Sequence, residues 1–77
     1  MEEREAIVVR ARVKAVLLGA VAESGLSEAE IARRAGRPRS FIWRVLHTDC
    51  NVTVNTIAAV LDAAGYRLKV NAVKDPI

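Results

Sequence analysis

A short stretch near the middle of the chain holds most of its capacity for polar chemistry. Residues 33–47 read RRAGRPRSFIWRVLH, with five arginines and no aspartate or glutamate. A guanidinium group stays charged at physiological pH and donates paired hydrogen bonds to phosphates, carboxylates or guanine. The same stretch holds five apolar residues that a freely solvated loop would not need: Phe41, Ile42, Trp43, Val45 and Leu46. This combination indicates a folded surface that binds an anionic partner.

The net charge of +3 is concentrated in this part of the chain. Residues 31–48 have a charge balance of +5, whereas residues 1–30 have −2 and residues 49–77 have 0. Such a concentration favours nucleic acid as the partner, because nucleic acid is the commonest polyanion that proteins bind. The competing interpretation is a solvated basic face that binds nothing.

Other residue types offer little chemistry. His47 is the only histidine and Cys50 the only cysteine, so the sequence predicts no intramolecular disulfide and no Cys/His metal site. Scattered carboxylates form no nucleophile–base set, and the four glycines form no phosphate-binding loop. We therefore expect no catalytic residues, no metal and no cofactor. His47 and Cys50 are expected to be structural.

Length and hydropathy set further bounds. The 77 residues suffice for a single domain with a thin core, which makes oligomerisation an expectation. No apolar run reaches the roughly 18 residues of a membrane span, and the first residues lack the pattern of a secretory signal. We predict a cytoplasmic protein with no membrane partner.

The elements that would position the arginines are short helices. Residues 1–24 are predicted to form a first helix that ends at Gly25, although the β-branched run AIVVRARV leaves a short N-terminal strand as an alternative. Ser27 and Glu30 have the spacing of a capping box, in which each side chain accepts a backbone N–H from the first turn. Gly36 then permits a tight turn.

Residues 27–47 are therefore predicted to form a helix-turn-helix, with Pro38 at the first position of its second helix. Residues 53–64 predict a further helix that Thr53 caps and Gly65 closes. Residues 66–73 alternate between apolar and polar side chains, as a half-buried strand does. The expected fold is mostly α, with four to five helices and a short C-terminal β-strand.

The order of these elements resembles the lambda-repressor-like (XRE-type) helix-turn-helix family. The resemblance covers residues 26–65, LSEAEIARRAGRPRSFIWRVLHTDCNVTVNTIAAVLDAAG. It comprises a leucine and a polar cap, an alanine-rich helix, a glycine turn, a recognition helix, a polar loop and a threonine-started helix. The tail YRLKV is similar to the ends of small HigA-type antitoxins and of Cro-like phage repressors. The resemblance implies a bacterial or phage-encoded, nucleoid-associated DNA-binding protein.

In such a protein the recognition helix lies in the major groove of double-stranded DNA. The residues expected to read base edges are Arg39, Ser40, Trp43 and Arg44. The residues expected to contact phosphates are Arg33, Arg34, Arg37, Thr48 and Asn51. For Thr48 and Asn51, ordinary turn hydrogen bonds are an equal alternative. Trp43 either faces the groove or packs inward.

A module of this size buries only roughly 600–1,000 Å² on DNA, which favours a homodimer on a palindromic operator. The dimer contact is predicted in the C-terminal strand, at Tyr66, Leu68 and Val70, because an unpaired strand edge is a liability. A different protein, such as a toxin, or an N-terminal strand could also occupy that edge.

The favoured function is a homodimeric transcriptional repressor of the Cro or XRE kind. The alternative is an antitoxin of a HigA-like module that binds a toxin and regulates its own operon, with the first helix as a partner surface. A third possibility is a protein-interaction module that does not bind DNA. Two residues favour this third possibility: Glu28, where the family often has a glutamine that contacts a phosphate, and Trp43, which is bulky for an exposed recognition position.

Overall fold

The computed structural model describes the backbone of residues 3–75 and, within that range, all side chains except those of residues 3, 5 and 6. Four α-helices follow one another along the chain, and the described residues contain no β-strand. The prediction of a mostly helical fold with at least four helices is confirmed. The helices are α1 (Glu3–Ser24), α2 (Glu28–Ala35), α3 (Arg39–His47) and α4 (Val54–Ala63).

Helix α1 confirms the predicted first helix over Glu3–Ser24, while residues 1 and 2 of that prediction lie outside the described residues. The alternative strand at AIVVRARV is wrong, since these residues are helical. Three residues of α1 recur at helical spacing and pack on the core: Val13, Leu17 and Ala20. Their burial outweighs the β-preference of the valines. Gly25 follows with φ +70°, as a helix-ending glycine does.

Helix α2 begins as its sequence predicts, but only half of the capping box forms. The Ser27 hydroxyl accepts the backbone N–H of Glu30 at 3.1 Å. The Glu30 carboxylate, which was expected to accept the backbone N–H of Ser27, instead accepts hydrogen bonds from Arg33 and Arg34. Two charged donors on the next turn compete better for a carboxylate than one neutral backbone donor.

A connection of three residues joins α2 to α3. Gly36 has φ +66°, a left-handed conformation that closes α2 and that glycine adopts without strain. Pro38 has an extended ψ of 145° and precedes α3, so its predicted place at the first helical position is wrong by one residue. Its carbonyl accepts the backbone N–H groups of Phe41 and Ile42. No side chain caps this end of α3.

The core lies where the four helices meet. Helix α2 packs against α3 and α4, and α1 packs against the same two helices. Helix α4 starts as predicted at Thr53, whose hydroxyl accepts the backbone N–H of Thr56 at 3.2 Å. Each helix contributes one fully buried side chain to the centre: Leu17, Ile31, Ile42 and Val60.

The predicted C-terminal strand over residues 66–73 is wrong for the single chain. A strand needs a hydrogen-bonded neighbour, and the described residues supply none along this segment. The backbone N–H of Tyr66 bonds to the carbonyl of Leu61 at 2.8 Å, and Leu68 packs against the core. Tyr66 is nearly half exposed, and 79% of Val70 is exposed. The alternation of the sequence thus corresponds to one partly buried contact, that of Leu68, rather than to a strand.

Candidate nucleic-acid interface

Helix α3 presents two chemically different faces. Ile42, Val45 and Leu46 are buried and hold the helix against the core. The four residues predicted to read bases are all exposed on the remaining surface: Arg39, Ser40, Trp43 and Arg44. The sequence of α3 contains no acidic residue. This exposed surface of α3, which we call the basic face, can therefore donate hydrogen bonds to an anionic or acceptor-rich ligand without competition from its own helix.

The sequence left open whether Trp43 packs into the core or lies on the outer side of α3. The indole lies on the exposed side of α3, with 53% of the residue accessible. Its ring stands 5.2 Å from that of His47, one turn further along, at a tilt of 35°. Such tilted aromatic contacts are favourable and restrict the indole rotamer. Trp43 thus offers a flat apolar surface in the middle of the basic face.

His47 also connects the end of α3 to the start of α2. Its Nε2 atom lies 2.7 Å from Oε2 of Glu28. An ionised carboxylate can only accept, so this contact requires a proton on Nε2. Glu28 therefore has a structural partner within the domain. Sequence reasoning placed His47 correctly near a helix end, but it did not pair the two residues, which are 19 positions apart.

The two adjacent arginines of α2 share one carboxylate. Arg33 donates from Nε to Oε2 of Glu30 at 3.0 Å and makes a second contact through Nη2. Arg34 donates from Nε to Oε1 at 2.9 Å. The hydrogen bonds from Arg33 and then from Arg34 lower the pKa of Glu30 from 4.5 to about 2. The same pairing raises the pKa of Arg33. These two cations are thus partly neutralised within the helix.

The other three arginines of the basic stretch have no acidic partner among residues 3–75. Arg37 and Arg39 are exposed on either side of Pro38. Arg44 lies with its guanidinium carbon 5.4 Å from the centre of the Phe41 ring, a cation–π contact that leaves its N–H donors available. Within this stretch, the uncompensated positive charge is therefore concentrated at the turn and along α3.

The loop after α3 uses much of its polar chemistry internally. The Thr48 hydroxyl donates to the carbonyl of Arg44 at 2.7 Å, so its proton is engaged in the helix end. Oδ1 of Asn51 accepts from Nη1 of Arg10 at 3.1 Å, which leaves the amide NH₂ group of Asn51 as a donor. Lys14 donates to the backbone carbonyl of Thr48. The Thr48 hydroxyl thus makes a local hydrogen bond of the kind that the alternative interpretation predicted. Asn51, by contrast, retains its amide NH₂ group as a donor for a ligand.

Arg10 and Lys14 are the polar residues near this surface that sequence reasoning did not place there. They stand one turn apart on α1 and reach loop residues that are 41 and 34 positions away in the sequence. Their spacing indicated a shared helix face. No local pattern shows which distant loop that face contacts. They add two cations beside the end of α3.

Some site types have no support in the described part of the chain. No cluster of three or more His, Cys, Asp or Glu side chains within residues 3–75 could hold a metal ion. Cys50 is partly buried, and its Sγ lies 3.7 Å from the carbonyl oxygen of Arg44. No helix among these residues combines the length and hydropathy that crossing a bilayer requires.

Comparisons with known proteins identify no relative. No family model matches the chain, and neither the curated proteins nor the solved structures contain a significant match to it.

Proposed function

We propose that the protein is a sequence-specific, double-stranded DNA-binding transcriptional regulator that acts as a homodimeric repressor in the cytoplasm. In this proposal α2, residues 36–38 and α3 form a helix-turn-helix of the lambda-repressor-like kind, and α3 is the recognition helix. The observation that carries the proposal is the basic face of α3. It is exposed and free of acidic residues, while its opposite side is anchored in the core.

The basic face has the residue types that major-groove readout requires. Arg39 and Arg44 can each bind O6 and N7 of a guanine, which is worth roughly 1–3 kcal/mol of discrimination for a good bidentate pair. Ser40 can donate to a base or a phosphate. Trp43, with its rotamer restricted by His47, can contact a thymine methyl group.

The proposed phosphate contacts surround this face. Arg37 is exposed in the turn, and Asn51 keeps an amide donor in the loop. Arg33 and Arg34 use only some of their N–H groups on Glu30, so the remaining donors can reach phosphate oxygens. The hydroxyl of Thr48 contributes only if its bond to the Arg44 carbonyl breaks. Phosphate contacts of this kind fix the orientation of the protein on the duplex and carry no sequence information.

Selection of bound duplexes from a random pool tests the proposal. The expected product is a palindrome whose half-sites lie about 34 Å apart, one helical turn, as a dimer requires. The affinity for that site should fall steeply as the salt concentration rises. Recovery of unselected sequences, or equal affinity for selected and random duplexes, would exclude the regulator and favour a protein-interaction module that does not bind DNA.

A matched set of variants then tests whether α3 causes the preference for the selected duplex. Arg39→Ala and Arg44→Ala each remove one positive charge from the basic face. Arg67→Ala removes the same charge from the exposed C-terminal segment. The proposal expects both α3 variants to lose preference for the selected duplex over random DNA, whereas Arg67→Ala keeps it. Equal behaviour of the three variants would mean that α3 does not read the sequence.

A further inference from the structure

Glu28 links the start of α2 to the end of the helix that carries the basic face. It is the first residue of α2, and His47 is the last residue of α3. The Glu28 side chain is 28% exposed and that of His47 is 42% exposed, so the pair lies at the edge of the basic face. Each group also stands at the helix end whose dipole favours its charge, a carboxylate at an N-terminus and an imidazole that can gain a proton at a C-terminus. The proposed DNA contacts leave this pair unused.

The contact between the two residues fixes the imidazole ring of His47. Nε2 of His47 donates a hydrogen bond to Oε2 of Glu28 at 2.7 Å. A hydrogen bond to one ring nitrogen sets both the tautomer and the orientation of the ring. Glu28 is itself held in place, because the Ser27 cap and the completely buried Ile31 anchor the start of α2. His47 is therefore held at its ring as well as at its backbone, although its side chain is partly exposed.

The ordered imidazole is in turn the neighbour of Trp43. The two residues are four positions apart on α3, and their ring centroids are 5.2 Å apart with a tilt of 35°. Exposed side chains without such contacts exchange rotamers on the picosecond to nanosecond timescale, and 53% of Trp43 is exposed. The ring of His47 supplies the contact that selects one orientation of the indole.

We propose that Glu28 is a positioning residue for the basic face, which through His47 holds the Trp43 indole in the orientation that meets the base edges of a bound duplex. The inference rests on the proposed function where it concerns the duplex, while the ordering of the indole is a property of the free chain. An ordered indole loses less conformational freedom when a complex forms, which favours binding about two- to tenfold. It also keeps its apolar surface at one place along the groove, where it can recognise the methyl group of a thymine.

Two substitutions of Glu28 separate its hydrogen bond from its charge. Glu28→Ala and Glu28→Gln each remove one negative charge from the start of α2, so both reduce the repulsion of a phosphate equally. Glu28→Gln keeps a carbonyl oxygen that can accept from His47, whereas Glu28→Ala keeps no acceptor. Alanine and glutamine are both good helix formers, and far-UV circular dichroism verifies that the helices are retained. The difference between the two variants therefore reports the contact with His47.

The first measurement uses the free chain. Heteronuclear NMR relaxation of the Trp43 indole N–H group gives an order parameter, which is about 0.85 for a rigid group and below about 0.6 for a flexible one. The unchanged chain and Glu28→Gln should have a rigid indole, and Glu28→Ala a flexible one. His47→Ala should resemble Glu28→Ala, because it removes the ring that contacts the indole. An indole that stays equally rigid in Glu28→Ala would overturn the proposal.

The second measurement uses the duplex that the unchanged chain selects. Each thymine of the site is replaced in turn by uracil, which removes only the methyl group at C5. The unchanged chain and Glu28→Gln should lose about fourfold in affinity at one thymine of each half-site, as expected for one buried methyl group. Glu28→Ala should lose almost nothing there. A loss of equal size in Glu28→Ala, or no loss in the unchanged chain, would contradict the positioning of Trp43 for base contact.

The two measurements let the proposed function and the role of Glu28 fail separately. Selection of no duplex, together with an indole that is rigid in Glu28→Gln and flexible in Glu28→Ala, would exclude the regulator and keep the ordering of Trp43 by Glu28. Selection of a duplex, together with an indole that is equally rigid in every variant, would keep the regulator and exclude the role of Glu28.

Discussion

Helices α2 and α3 differ by one residue in length, and both are amphipathic, yet they are stabilised in opposite ways. Helix α2 is supported by its own side chains, through the Ser27 cap, the Gly36 end and the Glu30 ion pairs. Helix α3 has no side-chain cap, no acidic residue and two arginines without an acidic partner in the described chain. Its stability comes mainly from three buried residues, with the contact between His47 and Glu28 at its end. A helix held mainly by its inner face leaves most polar groups of its outer face available to a ligand, and this distinguishes α3 from α2.

Removing a buried side chain of α3 should have the largest effect. Ile42 is completely buried, and Ile42→Ala is expected to lower the free energy of unfolding by about 2–5 kcal/mol, through lost burial and the cavity left behind. Denaturant unfolding followed by far-UV circular dichroism measures this loss. Val54→Ala, at an exposed position of α4, is the control and should have little effect. A loss below 1 kcal/mol for Ile42→Ala would contradict the anchoring of α3 by burial.

The next largest effect concerns the arginines of the two helices. On the proposed function, Arg44→Ala should reduce discrimination at one base pair by roughly 1–3 kcal/mol, because it would remove the proposed guanine contact. Arg33→Ala should weaken binding to all sequences alike and reduce the salt slope by about one. Titrations with single-base substitutions of the selected site separate these outcomes. Identical specificity profiles for the two variants would mean that α2 and α3 contact DNA in the same way.

Loss of the α2 cap should have a smaller effect on stability. Ser27→Ala removes the acceptor for the Glu30 backbone N–H and should lower the free energy of unfolding by about 1 kcal/mol. Ser40→Ala makes the same chemical change in the first turn of α3, where no side-chain cap exists, and should stay within about 0.5 kcal/mol. Equal losses in thermal or denaturant unfolding would show that the two helices do not differ at their starts.

The Glu30 ion pairs should produce a small dependence of stability on pH. The pKa of Glu30 is about 2 in the folded chain and 4.5 ordinarily, so the ionised carboxylate stabilises the fold above pH 4.5. This contribution is lost progressively as the pH falls from about 4.5 to about 2. Glu30→Gln should flatten the stability profile in that window, and Arg33→Gln/Arg34→Gln should flatten it similarly. An unchanged profile in either variant would show that the pairs do not stabilise α2.

The sequence predicts the parts of this fold that depend on neighbours along the chain. The caps at Ser27 and Thr53 and the left-handed glycines at Gly25, Gly36 and Gly65 lie where local patterns predicted them. The division of α3 into buried and exposed faces also followed from helical spacing. These features need only the geometry of one or two turns, which short-range patterns encode.

The features that sequence reasoning missed depend on distant contacts. Glu28 meets His47, and Arg10 meets Asn51, across many positions of the chain. Nothing in the local pattern of either residue identifies its partner. The predicted strand at residues 66–73 failed for the same reason, since alternation produces a strand only where a second strand is available. The base and phosphate roles of the arginines remain predictions.

The exposure of the Trp43 indole determines what the fluorescence of the chain can report. Trp43 is the only tryptophan of the chain, and solvent reaches it in the folded state. Its emission wavelength should therefore change little on unfolding, which makes it a poor probe of stability. It lies in the middle of the basic face, so a bound duplex should alter its intensity directly. Under the proposed function, Trp43 is therefore an intrinsic fluorescent reporter of duplex binding at α3 that requires no added label.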